Sequence, residues 1–83
     1  METIVRRCAG LDVHKDTVVA CVRIVDENGE LQVRTQTFGT TTSDLLGLSD
    51  WLESYAVTIV GMESTGVYWK PVYTLLESSF ECW

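Results

Sequence analysis

Two tripeptides, Gly10-Leu11-Asp12 and Gly61-Met62-Glu63, each place a carboxylate two residues after a glycine, near the end of an apolar run. In extended chain the side chains alternate with a period of two, so each glycine shares a face with its acid. The surface beside the carboxylate is then bare. Two carboxylates brought side by side repel unless they share a proton, are well solvated, or bind cations. Mg²⁺ seeks oxygen and is usually held by one or two carboxylates plus substrate phosphates. Two-metal sites set their ions about 3.5 to 4 Å apart to clamp an in-line phosphoryl displacement. The pair could therefore supply half of a metal site. A structural reading of the same residues stands beside it: Asp12 opens the turn "DVHKD", and Glu63 precedes a helix, where an acid favours the positive end of the dipole.

Other residues invite chemistry less strongly. His14 and Lys15 could serve as a ligand or a phosphate contact, but in a hairpin turn they read as solvated surface. Ser64 and Thr65 read as helix caps, because no general base is placed to activate either hydroxyl. Trp51, Tyr68, Trp69 and Tyr73 read as core and helix-packing residues, with base stacking as the second reading. Cys8, Cys21 and Cys82 are odd in number and widely spaced, and read as small hydrophobes rather than as a disulfide or metal framework.

The elements that must position the acids follow from periodicity. Residues 3–13 read as a strand, "HKD" as a tight turn, and "TVVACVRIV" (17–25) as a central strand, β-branched and apolar on both faces. Asn28-Gly29 in "DENGE" is a strong hairpin signal, since both residues tolerate positive φ. A third strand over 31–38 alternates Leu31, Val33 and Thr35 with Gln32, Arg34 and Gln36, the pattern of an edge strand with one wet face. "TTTSD" supplies N-cap groups for an amphipathic helix carrying Leu45, Leu48, Leu52 and Tyr55. "AVTIVGME" then reads as a buried strand and "VYWKPVYTLLESS" as a second helix, with Pro71 either in its first turn or at a kink. "FECW" reads as the start of a further strand. The order is βββαβα and an interrupted β, an α/β sheet whose fourth strand returns through a right-handed crossover. If that strand lies parallel to the first, the two acids are neighbours at strand ends, where ligands gather in such sheets.

Composition bounds the answer. The chain has 83 residues, 46% of them hydrophobic and 22% charged, with one proline. This is globular composition, and a domain of this size buries only about 60 to 65% of its unfolded surface. No apolar run approaches the roughly 18 residues of a membrane span, and "METIVRRCAG" lacks the apolar stretch of a signal peptide, so a cytoplasmic protein is expected. The net charge of -6 argues against this segment alone drawing in nucleic acid, because phosphate contacts need Lys and Arg.

The motifs "GLDVHKDTVVACV", Phe38 to Thr41 as F-x-T-T, and above all "MESTGVYWKPVY" resemble the N-terminal part of the DEDD-type insertion-sequence transposases of the IS110 family, related to Piv-type DNA invertases. The resemblance covers essentially the whole chain. It implies a RuvC-like, ribonuclease-H-like fold, incomplete here, whose Asp-Glu-Asp-Asp tetrad binds a divalent metal, usually Mg²⁺. It also implies a separate C-terminal domain bearing a serine used in strand cleavage and joining. Matched residue by residue, Asp12 corresponds to the first acid of the tetrad and Glu63 to the second, as catalytic residues and metal ligands. The last two aspartates and the serine would lie after residue 83, and Ser64 is not that serine.

The resemblance further implies insertion-sequence DNA as the partner, with a structured guide RNA in some members, and no membrane. Residues 1–83 then form the N-terminal portion of a catalytic domain, inert alone and binding Mg²⁺ weakly at most. An uncovered edge of the fourth strand and apolar surface around Trp83 would favour a homo-oligomer or a strand-exchanged dimer. Two other classes share parts of the pattern. A lobe of an acetate-kinase, sugar-kinase or actin-like ATPase has the same early order and a first-strand aspartate, but follows it with a Gly- and Ser/Thr-rich phosphate turn where this chain has "VHKD". A non-catalytic interaction module would not need either acid.

Overall fold

The computed structural model describes residues 6–64 and 66–82. A five-stranded mixed sheet in the order β3-β2-β1-β4-β5 carries two helices. Strands β1 (Arg6–Val13), β2 (Thr17–Val25) and β3 (Leu31–Gly39) form the antiparallel meander read from the sequence. The part of the first strand expected at residues 3–5 lies outside the described residues.

Strand β4 (Ile59–Ser64) runs parallel to β1. Helix α1 (Thr42–Ser54) makes the connection into it from β3. The Thr41 hydroxyl caps α1 by accepting from the Asp44 amide at 3.2 Å, satisfying one of the donors that a helix start leaves unpaired. Helix α2 (Trp69–Leu76) holds Pro71 in its first turn, where the missing N–H has no intrahelical partner to lose. Among the described residues, strand β5 (Glu81–Cys82) pairs with β4 at Ile59 and Val60. Trp83 lies outside the described residues.

Both helices pack on one face of the sheet. Ala9, Leu11 and Val13 of β1, Val18, Ala20, Val22 and Ile24 of β2, and Val60 of β4 meet Leu45, Leu48, Leu52, Val72 and Leu76 in a single core. The leucines at i, i+3 and i+7 of α1 deliver the stripe that its spacing requires. Period-two alternation sends Gly10, Asp12, Val19, Cys21, Gly61 and Glu63 to the opposite face, which no helix covers among the described residues.

Three local expectations change. β3 lies at the sheet edge, but Leu31 and Val33 are 56% and 43% exposed, on the face away from the helices. Gln32, Arg34 and Gln36 instead share the helix side, yet stay exposed because α1 covers β3 only near Phe38. In the 26–30 turn only Gly29 takes a positive φ, +79°. The Asp26 carboxylate replaces the two-residue turn with a longer loop, accepting from the Asn28 and Glu30 amides, both at 2.9 Å. The N-cap of α2 is Tyr68, without a side-chain cap bond. Ser64 is the last residue of β4, not that cap, and Thr65 lies outside the described residues.

Candidate functional site

Strands β1 and β4 are in register residue for residue: Gly10 pairs with Gly61, Leu11 with Met62, and Asp12 with Glu63. Parallel pairing aligns the C-terminal ends, so the carboxylates leave the same edge on the same face. Both are solvent-exposed. Both glycines lie beneath them, and an open groove of about 560 Å³ runs over Gly10, Asp12, Val19, Cys21, Gly61 and Glu63. A Cβ at Gly10 would meet nothing within 4 Å, and one at Gly61 only the Ala9 carbonyl at 4.0 Å. The glycines therefore serve to keep the groove open rather than to relieve a clash.

His14 is exposed in its turn, as expected of solvated surface. The structure sets its Nε2 3.0 Å from Asp12 Oδ2, with the two side chains 47% and 58% exposed. The tight turn accounts for this: the His14 amide donates to the Thr17 carbonyl at 2.8 Å, folding the chain so that residues 12 and 14 stand together. Their i, i+2 spacing was the available signal, but the turn geometry that completes it is not written in residue types. Lys15 is exposed, and its carbonyl accepts from the Thr40 hydroxyl at 3.2 Å.

Two exposed carboxylates are hard oxygen donors and fit Mg²⁺ in kind. Among the described residues no group of three or more His, Cys, Asp or Glu side chains is gathered closely enough to hold a metal. Asp12 and Glu63 thus offer part of a coordination sphere, which water, phosphate or further side chains must complete.

The aromatic residues divide. Trp51 packs edge-on between Phe38 and Tyr55, with ring centroids 5.5 and 5.3 Å away, as a core-margin residue. Tyr68 and Trp69 are 41% and 39% exposed, contrary to a simple packing role. A second cleft, lined by Met62, Ser64, Gly66, Trp69 and Tyr73, lies beside them. The three thiols are free; Cys8 is exposed, while burial, helped by the Glu77 charge, raises the Cys82 pKa. No helix is long and apolar enough to cross a membrane among the described residues.

The family model DEDD_Tnp_IS110, described as Transposase, matches residues 9–81, a span that includes both acids and both glycines. No individual curated protein matches in sequence. Among solved structures, the chain is similar to an Aquifex aeolicus member of the Ppx/GppA protein family, with a TM-score of 0.58 and 10% identity over 96% of this chain and 35% of that one. It is also similar to an Aquifex aeolicus PPX-GPPA enzyme, with a TM-score of 0.60 and 11% identity over 96% of this chain and 36% of the other. The chain thus spans about a third of the length of these structures. At such identities the likeness concerns the fold alone.

Proposed function

The chain belongs to the IS110 family of DEDD transposases, and from that membership we propose that residues 1–83 are the N-terminal portion of a RuvC-like, ribonuclease-H-like catalytic domain. That domain cleaves and rejoins DNA during insertion-sequence transposition in the cytoplasm. The observation that carries the reading is the register of Asp12 with Glu63 above a groove cleared by Gly10 and Gly61.

In this reading Asp12 and Glu63 are the first two acids of the tetrad and hold a divalent metal, Mg²⁺. The metal, when bound, supplies charge neutralisation for a scissile phosphate. The residues of this chain have narrower tasks. The two carboxylates bind and orient, the glycines leave space for the strand, and His14 holds one oxygen of Asp12 at 3.0 Å. The remaining ligands and the serine nucleophile belong to the rest of the transposase, so the chain alone is inert. Its net charge of -6 fits a segment whose DNA, and any guide RNA, is gripped mainly by other basic surfaces.

The fold likeness to Ppx/GppA structures leaves the kinase-like or ATPase alternative without a phosphate turn, because Val13, His14 and Lys15 follow Asp12 with no glycine. The test is recombination by the full-length transposase carrying Asp12→Ala or Glu63→Ala. Loss of Mg²⁺-dependent recombination with the fold intact is expected; recombination retained by either variant refutes the assignment and favours an interaction module.

A further inference from the structure

Resting on that reading and going beyond it, we propose that the cleft formed by Met62, Ser64, Gly66, Trp69 and Tyr73 is a subsite for one unpaired base of the DNA strand. Its size, about 320 Å³, falls at the low end of the roughly 300 to 1,000 Å³ typical of small-molecule sites. None of its lining side chains carries a charge. The chemistry offered is two aromatic rings, a thioether and hydroxyls, which suits a flat, neutral, hydrogen-bonding ring better than a phosphate.

Trp69 and Tyr73 stand one helical turn apart on α2, ring centroids 5.8 Å apart and edge to face at 82°. An edge-to-face pair fixes the indole while leaving ring surface free to stack, and Trp69 remains 39% exposed. Val72 and Leu76 are the buried residues of this helix and Leu75 packs half-buried against the same core, so its core side is filled without the indole. Gly66, at φ +63°, turns the chain beside the cleft, and a Cβ there would meet nothing within 4 Å. Lys70, next to Trp69 on the helix and exposed, brings a positive charge beside the uncharged cleft.

Location decides which base-bearing ligand this is. Met62 borders both this cleft and the carboxylate groove, and Glu63 and Ser64 are consecutive on β4, so the two cavities flank a single strand end. Neighbouring nucleotides of an unpaired strand can straddle that end, one phosphate over the carboxylates and one base in the cleft. A base paired in a duplex has no free ring face to give, which restricts the ligand to unpaired strand.

The test uses the ¹⁵N-labelled chain in Mg²⁺, titrated to millimolar with the tetranucleotide dT4, an abasic tetramer of the same backbone, and the ribonucleotide U4. With dT4 the indole N–H of Trp69, assigned by Trp69→Phe, shifts together with the Gly66 and Tyr73 amides, while the Trp51 indole stays put. The abasic tetramer moves none of them. Trp69→Ala weakens dT4 binding on the order of 5- to 150-fold, the range for one base–aromatic stack, and Trp69→Phe keeps it within a few-fold. The exposed position of Trp69 allows both variants to be checked for an unchanged melting transition.

The proposal is overturned if Trp69 does not respond to dT4, or if the abasic tetramer shifts it equally. It is equally overturned if Trp69→Ala binds dT4 at full strength, if only U4 is bound, or if the cleft responds to protein concentration instead, which would make its occupant a second copy. A parallel Mg²⁺ titration without oligonucleotide reads the Asp12 and Glu63 amides. Shifts there support the metal reading, whereas the dT4 arms decide the cleft independently.

Discussion

Asp12 and Glu63, 51 positions apart in the chain, are direct partners in the parallel β1–β4 ladder. The pairing two steps back is Gly10 with Gly61, so the carboxylates share one open groove. Filling that groove should separate function from folding. Glycine inside a strand costs roughly 0.5 to 1 kcal/mol relative to alanine, and Gly10 has open space above it. Gly10→Val should therefore leave the chemical-denaturation midpoint unchanged or slightly raised while abolishing recombination by the parent enzyme. A folded, fully active variant would show that the groove is not used.

The core makes a contrasting demand. Leu48 and Leu52 are fully buried, whereas Leu46, on the same helix, is 53% exposed. Leu48→Ala should cost about 2 to 5 kcal/mol, a large share of the roughly 5 to 15 kcal/mol a domain has in total. Leu46→Ala should change stability by no more than about 0.5 kcal/mol. Urea titration followed by circular dichroism measures both.

The start of α1 depends on one hydroxyl. Removing it with Thr41→Ala leaves the Asp44 amide without its 3.2 Å acceptor, at an expected cost of about 1 kcal/mol. Thr41→Ser keeps the oxygen and should restore most of the loss in the same unfolding assay.

Thiol reactivity should follow environment. Burial first, and the Glu77 charge second, raise the Cys82 pKa, so near neutral pH it is held as the unreactive thiol. Iodoacetamide labelling read by mass spectrometry should modify the exposed Cys8 well before Cys82. The gap should narrow as pH rises toward the elevated pKa of Cys82, and Glu77→Gln should speed its labelling modestly.

Much of this was legible in the sequence because period and residue type agree. The order βββαβα and the leucine stripe of α1 follow from local rules, whereas the structure decides between the two places open to Pro71, putting it in the first turn of α2, and supplies the parallel pairing on which the alignment of the two Gly-x-acid tripeptides depended. Where the reading failed, tertiary context outweighed pattern. β3 alternates like a half-buried strand, yet Leu31 and Val33 stay exposed because the helices sit on the other face and end before reaching it. His14 is exposed in its turn as read, and the added contact with Asp12 depends on a turn bond from the His14 amide to the Thr17 carbonyl, which any residue but proline could make. The exposed indole of Trp69 is invisible in a sequence where tryptophan ordinarily signals a core.

The most direct test of the central claim, that Asp12 and Glu63 together hold a divalent cation, is paramagnetic line broadening of the ¹⁵N-labelled chain by substoichiometric Mn²⁺. The account predicts broadening centred on the amides of residues 10–13 and 61–64, reversed by excess Mg²⁺ and reduced by either Asp12→Asn or Glu63→Gln. Broadening centred instead on the acidic 26–30 loop, with the two strand ends untouched, would contradict it.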